Sequence, residues 1–195
     1  MRRRFFLLIF LLLTLAACGG KSSVAPEMPR PAPAEDPSKV TWNADPGGLR
    51  LRIDAASDLN TQDGAPLALS LCVYQIDDAK RFNGLAQSAD GLDALQACTV
   101  EAAAAASAKR FWLQPGQQQV VDLDRAEGAK TLAVAAGYAH LKPELSAATF
   151  RYLLHQEKEG YIPGFRKTVH SAAQMEIAIR LTASQVSLNG VEREQ

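Results

Sequence analysis

The sequence carries no excess of either charge: 21 Lys and Arg stand against 21 Asp and Glu in 195 residues. A chain that gripped phosphate backbones would need a clustered basic surplus, so nucleic acid is excluded as an expected partner. Long apolar runs are missing too. The longest unbroken one, residues 5–13 (FFLLIFLLL), is far short of the roughly 20 residues that span a bilayer. Histidine is scarce, and none of His140, His155 and His170 belongs to an HxH or HExxH pattern. There is no G-x-S-x-G, no phosphate-binding glycine loop and no dinucleotide fingerprint. Carboxylate pairs such as Asp77 with Asp78, and Asp122 with Asp124, read as a helix cap and as solvated strand edges. The residues therefore give no reason to expect an enzyme, a metal site or a cofactor.

What the chain does have begins at its start. Met1-Arg2-Arg3-Arg4 precedes the apolar run, and Leu15-Ala16-Ala17-Cys18 follows it. A basic start, a short apolar stretch and small residues before a cut describe a secretory signal peptide over residues 1–17. The tetrad ending in Cys18 resembles the bacterial lipobox, in which the cysteine becomes the acylated N-terminus. Several acyl chains hold a protein firmly where one would not. Gly19, rather than an aspartate, follows the cysteine and favours the outer membrane. Without residues 1–17 the chain keeps 18 basic and 21 acidic residues, because the removed piece holds three arginines and no acid.

Composition shifts again after Cys18. Pro26, Pro29, Pro31, Pro33, Pro37 and Pro46 are six of the ten prolines. Such a stretch buries no core, so residues 18–47 are expected to form an extended tether. Residues 48–195 remain for one domain.

In that domain Leu49, Leu51, Ile53 and Ala55 alternate with polar residues, as do Leu67, Leu69, Leu71 and Val73. These two segments are expected to be antiparallel neighbours. Asp77 would cap a short helix stopped by Gly84, and Ser88 or Asp90 a second one carrying Leu92 and Leu95. The alanine tract 102–106 is helix or loop. Residues 110–114 and 118–123 are expected as short strands around a Pro115-Gly116 reversal. Residues 131–138 (TLAVAAGY) suit a strand buried on both faces. Phe150, Tyr152 and Leu154 predict one further strand, and Met175, Ile177, Ile179 and Leu181 the last clear one. Six or seven strands with one helical insertion predict an all-β fold, a two-sheet β-sandwich.

Cys72 and Cys98 remain once Cys18 is acylated, and an even pair in an oxidising compartment favours a disulfide, the alternative being two buried thiols. Two segments are candidate contact surfaces. The first is the polar connection 57–65: Ser57, Asp58, Leu59, Asn60, Thr61, Gln62, Asp63, Gly64 and Ala65. Loops on a rigid sandwich are common recognition surfaces, although an ordinary solvated connection has the same composition. The second holds Tyr161, Ile162 and Phe165 around Pro163-Gly164, which either close the sandwich end or face a partner.

The order of these features carries a resemblance. Lipobox and Pro-rich tether are followed by Leu59-Asn60, Asp63-Gly64-Ala65-Pro66 and the strand Leu71-Cys72-Val73-Tyr74-Gln75-Ile76. Then come Phe82, the Leu92/Leu95 helix, Leu113-Gln114-Pro115-Gly116 and Ala135-Ala136-Gly137-Tyr138. This resembles the TssJ (SciN/VasD) outer-membrane lipoproteins of type VI secretion systems, over about residues 15–182. The resemblance implies a transthyretin-like sandwich with an added helical element and a non-enzymatic role. It also implies a TssJLM membrane complex, in which the periplasmic C-terminal part of TssM binds the first inter-strand loop, here 57–65. The cysteine pair, the alanine tract and the long stretch 157–174 depart from the family pattern. A pilotin-like or ligand-carrying periplasmic lipoprotein of the same fold is the alternative, and it would need an apolar pocket between the sheets.

Overall fold

The computed structural model describes residues 31–161 and 164–193. The expected signal peptide, Cys18 and Ile162 lie outside the described residues.

Alternation produces strand β1 (Asp45–Ala55), which buries Leu49, Leu51, Ile53 and Ala55 and exposes Arg52. Beside it lie β4 (Gln118–Arg125), antiparallel, and β9 (Met175–Leu181), parallel; β10 (Val186–Glu192) adds to β9. This first sheet has the order β10-β9-β1-β4. The second has the order β3-β2-β5-β6, from β3 (Ser107–Leu113), β2 (Leu69–Ile76), β5 (Thr131–Ala136) and β6 (Ala147–Arg151). A separate ribbon pairs β7 (Leu154–Glu159) with β8 (Lys167–Ala172).

The two four-stranded sheets enclose one apolar core. Leu51 and Ile53 of β1, Ile177 and Ile179 of β9, Leu71 and Val73 of β2, and Val134 of β5 meet there, all shielded from water. A second core lies on the outer face of the second sheet. Cys72, Tyr74, Ile76, Ala133 and Ala135 point away from the first core and are covered by Phe82, Leu92, Leu95 and Ala103. Those residues belong to the helical insertion: α1 (Lys80–Leu85), α2 (Ala89–Leu95) and α3 (Val100–Ala103). A four-residue turn, α4 (Pro143–Ser146), precedes β6. The all-β sandwich with a minor helical insertion is thus the observed fold, and β5 is buried on both faces as its small apolar residues suggest.

The pairing differs from the alternation-based expectation in several places. β1 and β2 are not hydrogen-bonded neighbours; they lie in different sheets and face each other across the core. Alternation reports which side of a strand is dry, and that is the same for strands side by side and strands face to face. The Pro115-Gly116 reversal likewise joins two sheets rather than closing a hairpin, since β3 pairs with β2 and β4 with β1. The single strand expected around Phe150–Leu154 is two strands. Tyr152 ends the first by turning into the core, its ring 6.2 Å from that of Trp42, and the chain leaves as the ribbon.

Asp77 caps no helix: it pairs with Lys130 at 2.7 Å, while Asp78 accepts the Lys80 N–H at 2.9 Å. Ser88, not Asp90, caps α2, accepting the Gly91 N–H at 3.1 Å. Gly84 lies within α1, whose last turn closes with Ala86 N–H donating to Phe82 C=O. The alanine tract splits. Its first residues end α3, Ala104 takes a left-handed φ of 50°, and Ala106 returns to the sheet by donating to Gln75 C=O. Strand β10 follows the expected last strand and carries Gly190 at a position where the Phe150 ring leaves no room for a Cβ.

Candidate functional site

The connection from β1 to β2, residues 56–68, is half anchor and half tip. Leu59 is fully buried in the main core. Asn60 is buried as well, at a left-handed φ of 49° that asparagine tolerates better than most residues. Its side-chain Nδ2 donates to Ala68 C=O at 3.1 Å, and its Oδ1 accepts the Ala139 N–H at 2.7 Å. Its own N–H donates to Thr182 C=O at 3.3 Å. Through its side-chain amide and its backbone N–H, this one residue fastens the connection to its own far side and to the segments after β5 and β9.

Beyond the anchor, the tip is a miniature hairpin. Gln62 and Ala65 exchange backbone hydrogen bonds of 3.0 and 2.9 Å. Between them Asp63 and Gly64 both have positive φ, 50° and 80°, the Asp-Gly signature of a tight type I′ reversal. Thr61 Oγ1 donates to Asp58 C=O at 2.7 Å and closes the approach. Residues 62–68 are exposed. Of the nine positions 57–65, then, Leu59 and Asn60 hold the loop, while Ser57, Asp58, Gln62, Asp63, Gly64 and Ala65 face solvent, with Thr61 half-buried between.

One exposed aromatic at this end was not singled out by the sequence. Trp112 of β3 is 65% exposed, lies opposite Ser70 just past the loop's end, and stacks with Arg110 at 5.8 Å. Strand alternation gave it no special status. Only its side of β3, set by register, separates it from Phe111, which packs against the core.

The opposite end receives the N-terminal lead-in. Along β1 the two ends are about 33 Å apart, ten residue steps of about 3.3 Å. Residues 34–43 of the expected tether dock on the domain. Ala34 and His170 of β8 exchange backbone hydrogen bonds of 2.9 and 2.7 Å, and Lys167 meets Glu35 at 2.6 Å. Val40 is buried and Trp42 packs on the core. The buried Arg125 fastens this segment, donating to Ala173 C=O and Asn43 C=O, lying 3.5 Å from Asp45, and stacking over Trp42. Burial pulls the Arg125 pKa down, and the Asp45 charge opposes that shift.

Cys72 and Cys98 are joined as a disulfide, with Cα atoms 5.4 Å apart, tying β2 to the insertion. The histidines reach no common point. His140 is exposed after β5, His155 pairs with Glu192, and His170 lies on the other face of the ribbon from His155. Among the described residues no group of three His, Cys, Asp or Glu could hold a metal, and no helix is long and apolar enough to cross a membrane.

Solved structures share this architecture. The type VI secretion lipoprotein TssJ1 from Pseudomonas aeruginosa is 18% identical, with a TM-score of 0.53 over 78% of this chain and 98% of that one. Serratia marcescens Lip, a membrane-bound component of the type VI secretion system, is 17% identical, with a TM-score of 0.53 over 72% and 96%. A chain in the structure of the TssM C-terminal domain (869–1107) from EAEC is 21% identical, with a TM-score of 0.53 over 73% and 98%. No curated protein sequence matches the chain. The family model for type VI secretion lipoproteins (T6SS-SciN; VasD, EvfM, TssJ) matches residues 48–184, and the chain belongs to that family.

Proposed function

We propose that this chain is the outer-membrane-anchored subunit of a type VI secretion membrane complex. Acylated Cys18 holds it to the membrane, and the tip at 62–68 contacts the periplasmic C-terminal part of TssM. The observation carrying this reading is the separation of ends. The lead-in from the lipidated side docks at one end of the sandwich, and the exposed loop anchored by Asn60 stands at the other. The Asn60 bonds lower the entropy cost of presenting the tip, as a recognition loop requires. Similarity to chains in the TssM C-terminal domain structure and in a type VI membrane complex supports the partner. The alternative carrier role has less support, because Leu51, Leu71, Val134 and Ile177 fill the space between the sheets.

The test replaces Gln62-Asp63-Gly64-Ala65 with Gly-Ser-Gly-Ser and leaves Leu59 and Asn60 in place. Folding, read by thermal unfolding, is expected to change little. Co-purification with the TssM periplasmic domain is expected to be lost, with at least about a tenfold rise in Kd, or 1.4 kcal/mol. Unchanged affinity in a folded variant would remove the loop from the interface. Separately, Cys18→Ser should release most of the chain into the periplasm. If that variant floats with outer membranes as completely as the acylated chain, lipid is not the anchor.

A further inference from the structure

The turn between the ribbon strands carries two strongly exposed aromatic side chains among the described residues. Tyr161 is 103% exposed and Phe165 is 82% exposed. A soluble surface rarely leaves two aromatics so bare within five residues of chain unless something meets them. The other strongly exposed apolar residues, Trp112, Val120 and Val191, sit in strands, and Trp112 also stacks with Arg110. These two instead crown a projection whose sides are polar: Gln156, Glu157, Lys158 and Glu159 on β7, and Lys167 and Thr168 on β8, are all exposed. Arg166 follows Phe165 directly and is exposed as well.

The chain leading to Cys18 identifies what lies near this tip. Residue 34 is bonded to His170 of the ribbon itself, and Glu35 to Lys167. From His170 to Phe165 is five residues, at most about 17 Å of strand. From Ala34 back to Cys18 is 16 residues, with a coil-like reach of about 22 Å and a fully extended one of about 50 Å. The tip and Cys18 are therefore both leashed to β8. The partner loop is on the other end of the sandwich.

We infer that Tyr161 and Phe165 dock the ribbon tip into the headgroup layer of the phospholipid surface that holds Cys18. Aromatic side chains settle at that interface, the ring in the acyl boundary and the Tyr hydroxyl in the headgroups, and Arg166 meets anionic phosphates. Lipid and tip together make two attachments. They fix the domain's tilt and point the 62–68 tip away from the membrane. The inference rests on the lipid-anchor reading, so the experiment reads the two separately.

Full-length acylated protein with Phe165→Cys, labelled with an environment-sensitive dye, is reconstituted in phosphatidylethanolamine/phosphatidylglycerol vesicles. Asp63→Cys, labelled in the same way, reports the far end. Flotation reads the anchor. The label at 165 is expected to be quenched by headgroup-depth nitroxide lipid and shielded from iodide at least about threefold, while the label at 63 stays open to iodide. Because a dye can itself seek lipid, a second measurement uses unlabelled chains carrying Cys18→Ser. Adding Tyr161→Ser and Phe165→Ser should lower their vesicle co-sedimentation by about tenfold. Protein that floats while its 165 label stays as open to iodide as the 63 label overturns the docking alone. Protein that does not float overturns the anchor and the docking together. Shielding that appears only when the TssM domain is added makes the tip a protein contact and also overturns the docking.

Discussion

The two sheets share one buried core between their inner faces and treat their outer faces in opposite ways. The first sheet turns Arg50, Arg52, Asp122, Glu176 and Arg180 outward, paired across neighbouring strands as Arg50–Asp122 and Arg52–Glu176. The second turns Cys72, Tyr74, Ile76, Ala133 and Ala135 outward and covers them with the helical insertion. The sequence difference matches: β1 alternates, whereas β2 and β5 are apolar nearly throughout, as strands dry on both faces must be. Alanines 133 and 135 keep the sheet surface flat enough for the helices to come close. The covered face thus holds much of the stability, and the charged face can change at small cost.

The largest effect should come from the covered face. Phe82 is fully buried, with its ring 6.0 Å from that of Tyr74 in an edge-on arrangement. Phe82→Ala is expected to cost about 4 kcal/mol, through lost burial and the cavity left behind. Urea unfolding would show this as a lower midpoint with little change in slope. A cost under about 1 kcal/mol would mean that the insertion is only loosely laid on the sheet.

Next comes the bridge between that face and its cover. Cys72–Cys98 spans a sequence separation of 26 residues. Replacing both by alanine should cost about 3 kcal/mol in the chain-entropy description. Thiol titration of unfolded, unreduced protein checks the premise: no reactive thiol is expected from these two residues, and two would show that the protein carries them reduced.

This asymmetry also explains what could be read in advance. The double burial of β5 and the Ser88-capped helix carrying Leu92 and Leu95 were legible because composition and capping are local. The sheet assignment of β1 and β2 was not, because their pairing depends on β9, more than 120 residues away and parallel. Strand β10 was hidden by Gly190, whose place is explained only by the Phe150 ring. At the candidate site the Asp63-Gly64 reversal was visible in the residues. The roles of Leu59 and Asn60 were not, since the partners of Asn60, Ala139 and Thr182, come from distant segments.

A smaller effect tests how dry the covered face is. Burial pushes the Tyr74 phenol pKa up, offset in part by a backbone hydrogen bond, and its hydroxyl donates to Leu95 C=O. A raised folded-state pKa means that this stability is complete below about pH 10 and falls as the pH rises above it, because the unfolded chain ionises first. Tyr74→Phe is expected to cost about 1 kcal/mol at pH 8 by loss of the hydrogen bond. The same variant should soften the decline above pH 10. Part of that decline will persist, since burial also raises Tyr138 and Tyr152. Thermal midpoints from pH 8 to 11 in both proteins read this directly, and parallel curves would mean that water reaches the Tyr74 hydroxyl.

The charged face should respond least. Arg50 Nε donates to Asp122 Oδ1 at 2.7 Å and Nη2 to Oδ2 at 3.1 Å, a two-pronged pair in the open. That hydrogen bonding holds the Asp122 carboxyl below the usual carboxylate range. A depressed folded-state pKa contributes above the ordinary value near 4 and is lost as the pH falls through the folded one. Solvent screens the pair, however, and exposed pairs contribute little. In a double-mutant cycle of Arg50→Ala and Asp122→Ala at physiological salt, where charges are screened within about 8 Å, no coupling should rise above error. Lowering the salt should bring out a small one that weakens on acidification, as Asp122 takes up its proton. A coupling that survives high salt would mean that something covers this face in the assembled protein, and the contrast between the two sheets would then belong only to the isolated chain.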